Sequence, residues 1–293
     1  MSHKRFPPLG GHILVPVSSI QQALAGLSLY TPSRRRGLLL RSAAERWVRL
    51  LGPRALPGRR VSITTMPIAG GWDGLEALLR REVGPFDAVA VHFRRRPHRP
   101  GAAILLLSHD RPLAFVKIGP DSGIENEQRV LALMDRSGRP PAFEAPLPLG
   151  LHTIGETRVA AMTVIPHSHH RPMARPPLAE VIEDVQHSLR HLPRPNTIPP
   201  HWQPMHGDLS PWNLRIDSAG RVILFDWEEA GFGPPGADEV YYAITSAALG
   251  FPRRAVAGAG DEAMGFWQTR LEQPKPNRLR KAMLGELRRL ERR

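Results

Sequence analysis

The feature that most constrains this chain is the run His206-Gly207-Asp208-Leu209-Ser210-Pro211-Trp212-Asn213, followed by Asp226 at the end of the apolar segment Val222-Ile223-Leu224-Phe225. An acid, an asparagine five positions on and a second acid closing an apolar strand form the arrangement that phosphoryl transfer from ATP requires. The first acid orients an acceptor hydroxyl and accepts its proton; the asparagine and the second acid hold Mg²⁺ through hard oxygen ligands. One loop and one strand end bring all three together.

That chemistry also needs a lysine on a strand to hold the α- and β-phosphates, fixed by a glutamate on a helix. Only four of the 40 basic residues are lysines, at positions 4, 117, 275 and 281. Alternating and apolar runs predict an antiparallel meander of Asp87 to Phe93, Ala102 to Leu107 and Leu113 to Ile118, turning at His109-Asp110-Arg111-Pro112. Lys117 lies on the third of these strands, and a helix from about Ile124 to Met134 follows. In isolation an edge-strand lysine reaching for water is the plainer reading. Its order relative to Asp208 and Asp226 favours phosphate binding instead.

The pattern H-G-D-x-x-x-x-N followed by D-[FLW]-[DE] is matched by His206, Gly207, Asp208, Asn213, Asp226, Trp227 and Glu228. In these residues the chain resembles the aminoglycoside phosphotransferase and choline kinase group of the protein-kinase-like fold, over about residues 85 to 245. The resemblance implies an α+β, bilobal architecture: a small antiparallel N-lobe sheet and a mainly helical C-lobe, here preceded by a helical N-terminal extension. It implies ATP and Mg²⁺ as cofactors, with Asp208 and His206 as the catalytic residues, Asp208 being the base. Asn213 and Asp226 are the implied metal ligands, Glu228 assisting a second Mg²⁺ through water. Lys117 is the implied phosphate clamp. Its partner is Glu127, with Glu125 one helical step away as the alternative.

Several stretches depart from the family pattern. Phe93 to Gly101 holds arginines where protein kinases have a glycine-rich cover; these read equally as bidentate phosphate donors or as a solvated hairpin tip. Arg215 stands where the family places an apolar residue under the adenine. A guanidinium can stack on a purine, and Phe225 offers an apolar face for the same base. Within Gly231 to Asp238 the family's aspartate is structural, so Asp238 reads as a helix cap rather than a catalyst. The spelling Gly231-x-Gly233-x-x-Gly236 is not a dinucleotide site, because Pro234 and Pro235 occupy the positions that would have to donate amides. Glu183, His187 and His191 share one helical face, which reads as solvated because no further ligand is in phase.

Three segments are expected: a basic helical extension over 1–84, the N-lobe over 85–166 and the helical C-lobe over 167–293. In the extension, apolar spacing predicts two helices between Ile20 and Leu51, broken at Thr31 to Ser33 with Ser33 as a cap, then a β-rich run from Val61 to Met66 and a helix from about Asp73 to Glu82. Beyond the N-lobe helix, strands are expected near Pro146 to Leu151 and Arg158 to Ile165, then a polar linker through His167, His169 and His170, and a helix from Ala179 to Leu192. With 41% hydrophobic and 23% charged residues, the composition excludes wholesale disorder. No apolar run reaches the ~20 residues of a membrane span. The absence of cysteine excludes disulfides and thiol chemistry, and no signal-peptide pattern opens the chain, so a cytoplasmic location is expected.

Charge is uneven. Residues 34–60 carry nine arginines and one acid, residues 268–293 nine bases and three acids, while 61–267 hold 20 bases and 23 acids. Such flanks suit peripheral contact with an anionic surface, or are solvated faces of amphipathic helices. No aromatic-studded RNA motif or helix-turn-helix pattern points to specific nucleic-acid binding. The expected acceptor is a hydroxyl of an amino sugar, a choline-like molecule or an envelope sugar. Glu228, Glu229, Asp238 and Glu239 would make an acidic mouth suited to a cation, while the basic flanks suit an anion. The alternative is a catalytically idle module of the same fold that binds a nucleotide or a partner.

Overall fold

The run Ala102–Leu107 is too short for a helix of ordinary length and too apolar for a surface strand, so it must be covered on both faces. In the computed structural model it is the middle of such a sheet. The structure describes all residues except 1, 9, 33–34, 64–70, 95–100, 121, 139, 165–170, 174, 255, 257–259, 273–276 and 293. The chain forms two units: residues 1–128 with 146–167, and residues 129–145 with 168–293.

The first unit is built on eight strands: β1 (Ser2–Phe6), β2 (Ile13–Pro16), β3 (Arg60–Ser62), β4 (Ala88–Phe93), β5 (Ala102–Ser108), β6 (Arg111–Gly119), β7 (Pro148–Ile154) and β8 (Thr157–Met162). They lie in the order β3-β1-β2-β4-β5-β6-β8-β7, every neighbouring pair antiparallel. Helices α1 (Ile20–Ser28), α2 (Arg35–Leu51), α3 (Gly71–Glu82) and the start of α4 (Ser122–Ser137) complete it. Strand alternation sorts the apolar side chains onto two faces. On one, Val89, Val91, Ile104, Leu106, Val116 and Ile118 pack with Trp72, Leu75 and Leu79 of α3. On the other, Ala88, Ala90, Leu105 and Leu107 meet Ala25 and Leu29 at the end of α1. A third cluster joins Phe6, Ile13 and Val15 to Ala23, Leu27, Ala44 and Val48, and so seats α1 and α2 on the first two strands.

The second unit holds β9 (Arg171–Pro172), α5 (Leu178–Ser188), β10 (Gln203–Met205), β11 (Leu214–Ile216), β12 (Val222–Leu224), β13 (Gly231–Gly233), α6 (Ala237–Ala248), α7 (Asp261–Leu271) and α8 (Arg278–Leu290). Its strands form the sets β12-β11-β9 and β10-β13. The β11–β12 turn is made by Asp217, whose carboxylate accepts from the amides of Ala219 and Arg221 and from the Arg221 guanidinium. Helices α6, α7 and α8 share a core of Val240, Ile244, Ala263, Trp267, Met283 and Leu287, and the Trp267 indole donates to the Ala237 carbonyl at 2.7 Å.

The α+β class and the predicted meander are present, each meander strand within two residues of its expected bounds. The first 84 residues differ from a purely helical extension. They hold the three expected helices, but β1, β2 and β3 join the same sheet as β4. The physical reason lies in a half-polar edge: in β1 only His3 and Phe6 are buried, a pattern too sparse to read as a strand. The Ser33 cap, the tip of the arginine loop at 95–100, residues 64–66 of the β-rich run and His167, His169 and His170 lie outside the described residues.

Candidate active site

In the first unit, β6 alternates Ala114, Val116 and Ile118 into the α3-facing core, which turns Lys117 to the opposite face. Its neighbours across the sheet are Ala103 and Ala160, small side chains that leave room for the lysine stem. The ammonium lies 2.9 Å from Glu127 Oε1 and 2.7 Å from Oε2, and both residues are buried. Gln128, next in α4, donates to the Ala161 carbonyl on β8 and ties the helix to the sheet beside Lys117. Glu125 pairs instead with Arg158. The lysine-pairing glutamate is therefore Glu127, and the helical register left open by the sequence is resolved.

In the second unit, the loop from His206 to Asn213 joins β10 to β11, and the β11–β12 hairpin returns the chain to Phe225 and Asp226. Because Leu214 pairs with Leu224, the residues flanking that pair also meet: the Phe225 amide donates to the Asn213 carbonyl. Asn213 turns its amide nitrogen to Asp208, 2.9 Å from both the backbone oxygen and Oδ2. Its side-chain oxygen is then the atom left to ligate a cation. Asp226 takes a left-handed conformation, φ 71°, and opens the 3-10 turn Trp227–Glu229 that carries Glu228.

Asp208 is only half-buried as a residue, but its carboxyl is deeply desolvated. Burial, followed by the neighbouring charge of Asp226, pushes its pKa up to about 7, against hydrogen bonds from Tyr241, Asn213 and Trp212. A carboxylate raised in this way is a better proton acceptor than an ordinary one.

His206 is fully buried and works inside the fold. Its Nδ1 accepts from the Asp208 amide at 3.2 Å, its Nε2 is 3.3 Å from the Phe225 carbonyl, and its ring packs tilted against Trp227 at 4.5 Å between centroids. These contacts tie the loop to the end of β12. Gly207 has φ +78°, and a Cβ there would sit 2.1 Å from the Glu229 carbonyl oxygen, so only glycine fits.

Asp238 is not a helix cap; α6 is capped by Gly236 without a side-chain hydrogen bond. The Asp238 carboxylate instead accepts the backbone amides of His206 at 2.7 Å and Gly207 at 3.0 Å, and burial pushes its pKa up to about 6. It is thereby withdrawn from the acidic mouth in which the sequence placed it. Arg215 is buried too, donating to the Trp212 carbonyl at 3.4 Å, so it presents no open stacking face, whereas Phe225 stays partly exposed. Tyr241 was not expected at the site. Its only sequence signal is its place three residues after Asp238, on the same helix. Glu183, His187 and His191 are exposed, as a solvated face requires.

No curated protein matches the sequence. Among solved structures, a thermostable mutant of aminoglycoside phosphotransferase APH(4)-Ia in its apo form is 13% identical, covering 71% of this chain and 87% of that one, with a TM-score of 0.45. A putative fructosamine-3-kinase from Haemophilus somnus 129PT is 10% identical over 73% of this chain and 96% of that one, TM-score 0.42. Amicoumacin kinase hAmiN in complex with AMP-PNP, Ca²⁺ and Ami is 11% identical over 74% of this chain and 78% of that one, TM-score 0.40. Residues 185–270, the stretch that contains the His206–Asn213 loop, the β11–β12 hairpin and Asp238, match the phosphotransferase enzyme family, the group that the motif residues resemble.

Proposed function

We propose that this protein is an ATP-dependent phosphotransferase that moves the γ-phosphoryl group to a hydroxyl of a small molecule. The observation that carries this reading is the single cluster of Asp208, Asn213 and Asp226, in which the asparagine's amide is spent on the base and its oxygen is left for a cation. The donor set fits Mg²⁺: one amide oxygen and one carboxylate, with the Glu228 carboxylate close in sequence, are all hard oxygens. Mg²⁺ would be held by Asn213 and Asp226 and would supply neutralisation of the charge on the transferred phosphoryl group.

The chain's own residues divide the remaining work. Asp208 orients the acceptor hydroxyl and takes its proton. His206, Gly207 and Asp238 hold the loop that carries Asp208. Lys117, fixed by Glu127, holds the non-transferred phosphates, and Phe225 offers the apolar face for the adenine. The acceptor is an amino sugar, a choline-like molecule or an envelope sugar; Glu228, Glu229 and Glu239 favour the cationic members of that set. Asp208→Asn keeps the size of the side chain while removing the base, and should lower turnover by roughly 10²- to 10⁴-fold in a Mg²⁺-dependent ATP-consumption assay with and without candidate acceptors. Unchanged turnover would remove Asp208 from the mechanism.

A further inference from the structure

Helix α2 covers the apolar residues of β1 and β2 with one narrow face, Ala44 and Val48. The single acid on that helix, Glu45, is consumed by a buried ion pair with Arg41 at 2.8 Å. The opposite face is unusual for a surface helix. Leu39 is 70% exposed, Leu50 82%, Leu51 60% and Trp47 48%, and Leu38 and Leu40 are exposed with them. At 100° per residue, Leu39, Ala43 and Leu50 form the outermost stripe, with Trp47, Leu40 and Leu51 along one side.

Arginines border this apolar stripe. Arg36, Arg46 and Arg49 are exposed on the helix, and Arg54, Arg59 and Arg60 are exposed just after it. None of these six makes an ion pair among the described residues, so the surface carries only positive charge. The Trp47 indole donates to the Ala55 carbonyl at 2.9 Å, which fixes its ring against the segment after the helix while leaving half of it in water.

We propose that α2 and the segment to Arg60 form a peripheral docking surface for an anionic lipid membrane. An in-plane helix of this kind places leucine and tryptophan at the acyl boundary and its arginines among acidic headgroups. A second copy of the chain is disfavoured, because pairing the same face with itself sets like charges against one another. Nucleic acid would satisfy the arginines but leave the outermost leucines against phosphates, with no apolar partner.

The test is flotation of the full chain with vesicles of phosphatidylcholine alone and of phosphatidylcholine mixed with phosphatidylglycerol. The protein should float with the mixed vesicles and not with the neutral ones. Arg46→Gln with Arg49→Gln should weaken partition about thirty-fold, as expected for two surface charges. Leu39→Ser with Leu50→Ser should weaken it about tenfold or more at unchanged charge. Trp47→Phe should abolish the lipid-induced blue shift of tryptophan emission, and this third variant keeps the test intact if either double variant folds poorly. Absence of flotation at low salt, or flotation that neither double variant weakens, would overturn the proposal. So would a dimer seen by sedimentation and broken by the leucine variant without vesicle binding.

Discussion

Asp238 shows how one side chain sets the loop on which the proposed chemistry depends. Its carboxylate accepts two backbone amides of the catalytic loop, from residues more than thirty positions away, inside a buried site. Replacement by asparagine leaves one oxygen to accept and turns an amide group toward a backbone N–H, so it should cost about 1–3 kcal/mol at neutral pH. The pH dependence has a definite sign. In the folded chain Asp238 holds its proton up to about pH 6, against 3.8 for an ordinary aspartate. Between those values the folded state binds more protons than the unfolded one, so this group makes the free energy of unfolding fall with rising pH, by about 3 kcal/mol in all. Its contribution is fully favourable below about pH 4, and no further change follows above pH 6. Urea unfolding across that range should show a steeper fall in the wild type than in Asp238→Asn, in which the fall due to Asp208 remains; parallel curves would refute the assignment. Asp208, Asn213 and Asp226 were legible in the sequence because a short loop and one hairpin assemble them. The work of Asp238 was not, because its partners are main-chain amides, which carry no residue identity.

Between elements, the clearest relation is that of β6 to α4. Strand alternation and two flanking alanines bury the Lys117 ammonium, and α4 must then supply a carboxylate, because an unpaired buried cation is strongly unfavourable. Glu127→Gln should therefore destabilise the protein by about 3 kcal/mol or more in urea unfolding. Glu125→Gln, which breaks the partly exposed pair with Arg158, should change it by about 1 kcal/mol or less. Equal effects would mean that the register has been misassigned. The meander and α4 could be read from apolar runs and turn residues. The strands β1 to β3 could not: they are three to five residues long, and their pairing with one another and with β4 depends on partners distant in sequence. His3 illustrates this, since it is fully buried and hydrogen-bonded to the Val89 carbonyl.

At the scale of the whole molecule, the basic excess and the proposed chemistry lie in different parts of the chain. The net charge of +13 comes from the flanks, while the stretch holding Lys117, Asp208 and Asp226 is slightly acidic. None of the described helices is long and apolar enough to cross a membrane. The central claim concerns the nucleotide and its metal. It is tested most directly by titrating ATP calorimetrically into the wild type and into Asp226→Asn, with Mg²⁺ and with chelator. The account predicts binding by the wild type that requires Mg²⁺ and is lost in Asp226→Asn; binding by the variant equal to the wild type, or no Mg²⁺-dependent binding by either, would contradict it.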